Sequence, residues 1–81
     1  MILIIEIEGF LNHKILLTGK KCSKHQLKQM YFQAKKLTYE SIDFPDVFCR
    51  LYNFERIVYS DDIIVDYVLD TDIDRIYSPL Y

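Results

Sequence analysis

Lys24, Lys28 and Lys35 fall within about 40° of one another on a helical projection, with Phe32 and Tyr39 just beside them. Aromatic side chains set among lysines can anchor a partner while the ammonium groups recruit its carboxylates or phosphates. The same pattern arises when a helix is covered on a second side, by the chain's own tail or by a dimer mate. Base stacking and phosphate contacts would also suit this face, and two helices followed by a hairpin have the outline of a winged helix. The second helix argues against nucleic acid. It opens with Asp43 and Asp46, and its sole basic residue is Arg50.

Asp66, Asp70, Asp72 and Asp74 offer the opposite chemistry, standing in for phosphates before a partner's basic groove. Asp70-x-Asp72-x-Asp74 also repeats the first three ligand positions of a calcium loop. The sixth position is Arg75 instead of Gly, and the twelfth is Tyr81 instead of Glu. A solvated acidic strand edge accounts for the run without calcium.

Cys22-x-x-His25, with Cys49 and His13 elsewhere, supplies the residue types of a Cys2His2 zinc site. Only one pair has ligand spacing, and Cys49 borders an apolar stripe where cysteine serves as a small apolar residue. Cys22 could instead be a nucleophile, activated by a helix N-terminus and Lys20, Lys21 and Lys24, with His25 as base. No orienting acid or oxyanion feature accompanies the pair. A phosphate-cradling glycine loop, a paired-carboxylate motif and a serine elbow are all missing. The expectation is a non-enzymatic protein without metal or cofactor.

The elements that must carry these residues follow from periodicity. Residues 2–8 alternate as a strand, with Leu3, Ile5 and Ile7 on one face and Ile2, Ile4, Glu6 and Glu8 on the other. Its first half is apolar on both faces, which predicts a central position in a sheet. Gly9 and Asn12 punctuate a turn, Ile15–Thr18 returns as a second strand, and Gly19 ends it. Ser23 and Gln26 form a capping box for a helix from Lys24 to about Tyr39, with Leu27, Met30, Ala34 and Leu37 as its apolar stripe. Asp43, Pro45 and Asp46 start a second helix, Phe44, Val47, Phe48 and Leu51 form its buried stripe, and Asn53 is its left-handed stop. Arg56–Tyr59 and Ile63–Leu69, separated by Ser60-Asp61-Asp62, read as a hairpin. The tail from Asp70 holds either one helical turn or a short edge strand before Pro79. The order is ββααββ: an α+β domain spanning residues 1–81, with helices on a mainly antiparallel sheet.

Composition bounds what such a domain can do. At 81 residues, 51% hydrophobic and 27% charged, the chain needs nearly all its large apolar groups for one core. Homodimerisation is a common way for so small a domain to gain burial. A formal charge of −2 excludes a bulk electrostatic DNA mimic. Charge is segregated along the chain, however. Residues 1–39 hold seven lysines and two acids, whereas residues 40–81 hold three arginines and ten acids. Either the two halves neutralise one another in the fold, or the molecule has one cationic and one anionic face. No apolar run is long enough to span a membrane, and the start lacks a basic region before its apolar stretch, so a cytoplasmic protein is expected. Small linker-free domains of this style are frequent among accessory proteins of viruses and mobile elements. The leading expectation is thus a protein-binding inhibitor of a host or defence (CRISPR- or restriction-like) complex, acting in the host cytoplasm. Its contact residues are Lys24, Lys28, Phe32, Lys35 and Tyr39, or Asp66, Asp70, Asp72 and Asp74. The alternative is a small RNA- or DNA-binding regulator using the lysine–aromatic helix face.

Overall fold

Strand β1 (Ile2–Gly9) is the middle of the sheet, as its two apolar faces require. The computed structural model describes residues 1–9, 13–39 and 43–79. After β1 come β2 (His13–Lys20), helices α1 (Lys24–Lys36) and α2 (Phe44–Tyr52), then β3 (Glu55–Ile57), β4 (Tyr67–Asp70) and β5 (Arg75–Tyr77). The sheet order is β3-β2-β1-β4-β5. Among the described residues only the β1–β4 pairing is parallel. The class is therefore α+β with a mainly antiparallel sheet, and the tail supplies a fifth, edge strand. Asn12 of the expected first turn and Tyr81 lie outside the described residues.

Leu3, Ile5, Ile7, Leu17 and Leu69 point to one face of this sheet and meet Leu27, Tyr31 and Ala34 of α1 and Phe44 and Phe48 of α2. A run of aromatic contacts ties the helices to this core. Tyr31 and Phe44 have ring centroids 5.0 Å apart, Phe44 and Phe48 5.6 Å, and Phe48 and Phe54 5.1 Å. Each such pair adds to simple burial because ring edges meet ring faces. The hydroxyl of Tyr52 donates to the Met30 carbonyl at 3.1 Å, joining α2 to α1.

Local signals set the helix ends. Ser23 Oγ accepts from the Gln26 amide and Gln26 Oε1 accepts from the Ser23 amide, the expected capping box. Asn53 stops α2 in the left-handed region at φ 57°. Asp43 behaves differently from expectation: it makes no side-chain capping bond, and Pro45 in the first turn is the feature that suits this start. Helix α1 also ends earlier than about Tyr39. The Leu37 amide is shared between the Ala34 and Lys35 carbonyls, and Thr38 Oγ1 donates to Lys35 O, which tightens and closes the last turn. Leu37 and Leu51, assigned to the buried stripes, are exposed, while Tyr31 is fully buried.

The expected hairpin of residues 56–69 does not form. β3 pairs with β2 at one edge of the sheet, and β4 pairs with β1 on the other side. Ser60-Asp61-Asp62 lacks the glycine or asparagine of a tight hairpin turn, and β1, apolar on both faces, needs a neighbour on each side. The segment from Val58 to Asp66 consequently crosses the sheet on the face opposite the helices, where Tyr59–Asp61 and Ile63–Val65 share a cavity with Glu6 and Val68. At its end Asp66 bonds β1 twice: its amide donates to Ile4 O at 2.8 Å, and its Oδ2 accepts from the Ile4 amide at 2.9 Å. Gly19 does not end β2 but lies within it, opposite Leu3. Among the described residues no helix is long and apolar enough to cross a membrane.

Candidate functional site

Helix α1 carries Lys24, Lys28 and Phe32 in a row at successive four-residue steps, along the side that faces the β4–β5 hairpin. Between them and the hairpin runs a cleft of about 250 Å³, lined by Lys24, Lys28, Phe32, Asp74, Arg75 and Ile76. Phe32 is 39% exposed, with the edge of its ring against Tyr31 at 5.1 Å between centroids. Half of this aromatic is therefore available at the cleft while the other half is held by the core.

Lys35 takes no place in that row. Its ammonium turns across to the hairpin, 2.6 Å from Asp74 Oδ1, and donates to the Thr71 carbonyl at 2.8 Å and to the Tyr31 hydroxyl oxygen at 3.3 Å. The Tyr31 hydroxyl itself donates to the same Asp74 oxygen at 2.6 Å. The two hydrogen bonds hold the Asp74 carboxyl below the usual carboxylate range. Burial, with the Asp74 bond and charge behind it, pushes the Tyr31 phenol far above its ordinary value, so this hydroxyl stays a donor. Asp74 sits at φ 51°, a left-handed position that aspartate tolerates, which brings its side chain round to α1. Tyr39, beyond the end of the helix, is 98% exposed and stands apart from the cleft.

Asp66, Asp70, Asp72 and Asp74 do not act together as one free anionic surface. Asp66 is bonded to β1, and Asp70 Oδ1 accepts from the amides of Asp72 and Ile73, fastening the β4–β5 turn. Asp74 is paired with Lys35, which leaves Asp72 as the exposed carboxylate of the four without a side-chain contact to another element among the described residues. Three of the four carboxylates thus serve the fold's own hydrogen bonds. Among the described residues one ion pair joins the basic and acidic segments of the chain, Lys35 with Asp74.

Compared with protein-family models, curated proteins and solved structures, the chain matches none. Its chemistry rests on its own geometry.

The two cysteines lie in different settings. Cys22 precedes α1 and lines a groove with Gln26, Met30 and Tyr52, and Cys49 packs against the core from α2. Burial pushes both thiols up, the reverse of what an activated nucleophile needs. Among the described residues no three His, Cys, Asp or Glu side chains converge as a metal site.

Two features of the surface were missed by sequence reasoning. Arg75 and Ile76 join the α1 cleft only because β5 is an edge strand beside that helix. Glu6 is 9% exposed, on the central strand between Leu16 and Val68, both buried. Its signal was present: an acid midway along a strand predicted to be central and apolar on both faces.

Proposed function

We propose that this chain is a non-enzymatic protein-binding module that engages an acidic segment of its partner through the cleft between α1 and β5. The observation that carries this reading is the convergence of Lys24 and Lys28 on one cleft around a half-exposed Phe32, with Arg75 at its rim and its guanidinium stacked on the Tyr77 ring. Among the described residues the one carboxylate lining the cleft, Asp74, is already paired with Lys35. The cleft is therefore cationic, and an aromatic anchor surrounded by cations suits an acidic peptide better than an apolar one. β5 adds a second means of attachment. It is the last strand in the sheet order, so its outer edge can accept an extended partner segment by strand addition. Acting in the cytoplasm as an accessory protein of a virus or mobile element, such a module would occupy a partner surface and so block a host or defence complex.

The test is affinity capture from host lysate, with and without nuclease, comparing the natural chain with a Lys24→Glu, Lys28→Glu, Arg75→Glu variant. Lys35 is left unchanged because it holds the hairpin. A protein complex that survives nuclease and disappears with the triple reversal supports the module. A complex retained by that variant but lost on reversing Lys20 and Lys21, away from the cleft, would move the contact elsewhere. Enrichment that vanishes with nuclease would overturn the protein-binding reading in favour of a nucleic-acid regulator, whose affinity would fall steeply with salt.

A further inference from the structure

The second face of the sheet holds a carboxylate that nothing in the protein-binding reading uses. Glu6 projects from β1 in a row across the sheet between Leu16 of β2 and Val68 of β4. It is 9% exposed, and among the described residues no ion pair includes it; its side-chain neighbour is another carboxyl, Glu8, two positions along the same strand face. It lines a cavity of about 300 Å³ whose other walls are Tyr59, Ser60, Asp61, Ile63, Ile64, Val65, Val68 and Pro79. A buried carboxyl without a cationic partner, at the floor of a chamber walled mainly by isoleucine and valine with Asp61 at its side, is the arrangement of a small-molecule site, in which apolar walls supply burial and a few polar groups fix orientation.

We propose that this cavity binds a small aliphatic ammonium ion, with Glu6 as its counter-ion and the isoleucine and valine walls around its alkyl chain. The charges around Glu6 favour a cation. Glu8 follows on the same strand, Asp61 and Tyr59 stand on the crossing segment and Asp70 lies on β4; against them stand Lys14 on β2 and Arg75 on β5, the latter opposite Asp70 with its guanidinium over the Tyr77 ring. Tyr77 of β5 directs its hydroxyl to Glu8 Oε2 at 3.5 Å, away from any direct bond to Glu6. Burial, the Glu8 hydrogen bond and the Glu8 charge together raise the Glu6 carboxyl to about 7. Glu6 is thus poised between its acid and carboxylate forms near neutrality, and an entering ammonium would hold it ionised. A divalent cation fits poorly, because it needs six or more oxygen ligands and no three ligating side chains converge among the described residues. Length selects within the class: the apolar walls reward an alkyl chain that ammonium itself lacks.

The experiment is a titration of the isotopically labelled chain with n-pentylammonium chloride, followed by two-dimensional amide NMR at about pH 8 and about pH 6. Saturable shifts centred on the amides of Glu6, Tyr59 and Val68 are expected, with no saturable response to pentan-1-ol or pentanoate. Affinity should fall about tenfold from the higher to the lower pH, following the ionised fraction of a group titrating near 7. Glu6→Gln should abolish saturation. The proposal is overturned by an absence of saturable shifts, by equal binding of pentan-1-ol, or by unchanged affinity in Glu6→Gln. If that variant fails to fold, the natural chain decides alone: equal affinity at the two pH values sinks the ammonium site.

Discussion

Lys35 and Asp74, 39 residues apart in the chain, meet at 2.6 Å where α1 faces the β4–β5 turn. The same carboxylate oxygen accepts the buried Tyr31 hydroxyl. This contact closes the helix onto the hairpin, gives the left-handed Asp74 its partners, and among the described residues leaves Lys24 and Lys28 as the unpaired ammonium groups of the adjacent cleft.

Breaking this contact from its two sides should give different costs. Lys35 and Asp74 are both partly exposed, so a double-alanine cycle should return a coupling of about 0.5–1 kcal/mol. Tyr31→Phe removes a donor from inside the fold and should cost about 1–2 kcal/mol by denaturant unfolding. Because the folded Asp74 carboxyl is held low, its contribution is present above the ordinary carboxylate range and is lost as pH falls through the folded value. A coupling that persists unchanged in strong acid would contradict that sign.

Glu6 should act in the opposite direction. Its folded value of about 7 lies above the ordinary 4.5, so the folded chain binds the extra proton in that window. Stability should fall as pH rises from about 4.5 to about 7 and level off above, by about 3 kcal/mol at most. Glu6→Gln cannot ionise and should gain on the natural chain over the same window. Parallel stability–pH curves for the two proteins would refute this.

Truncation in the core and at the cleft should separate cleanly. Leu27→Ala and Phe48→Ala each empty a fully buried position and should cost about 2–5 kcal/mol. Phe32→Ala, on a side chain already 39% exposed, should cost about 1 kcal/mol and instead weaken partner capture. A loss at Phe32 as large as at Phe48 would make it a core residue and remove it from the cleft.

Gly19 should not tolerate a methyl group. A Cβ there would lie 2.6 Å from the Phe54 ring, which packs over the strand and leads into β3. Gly19→Ala should therefore destabilise by about 1–3 kcal/mol through displacement of that ring. A neutral result in thermal unfolding would mean that Phe54 can move aside freely.

Sequence by itself determined the elements that depend on neighbours a few residues apart. The Ser23–Gln26 capping box, the Asn53 stop, the two helices, and a central first strand with Leu3, Ile5 and Ile7 inward all follow from short-range hydrogen bonding and periodicity. Tertiary structure decided which strands pair. Apolar runs at 56–59 and 63–69 were equally able to face each other or to flank β2 and β1, and only the need to cover both sides of β1 separated them. The functional surface followed from that choice. With β4 beside β1, β5 became the edge next to α1, Arg75 joined Lys24 and Lys28, Asp74 took Lys35 out of the basic row, and the crossing segment closed over Glu6. Side-chain type and spacing specify local geometry, whereas electrostatic neighbours 39 or more residues apart are set by how the whole chain buries its apolar surface.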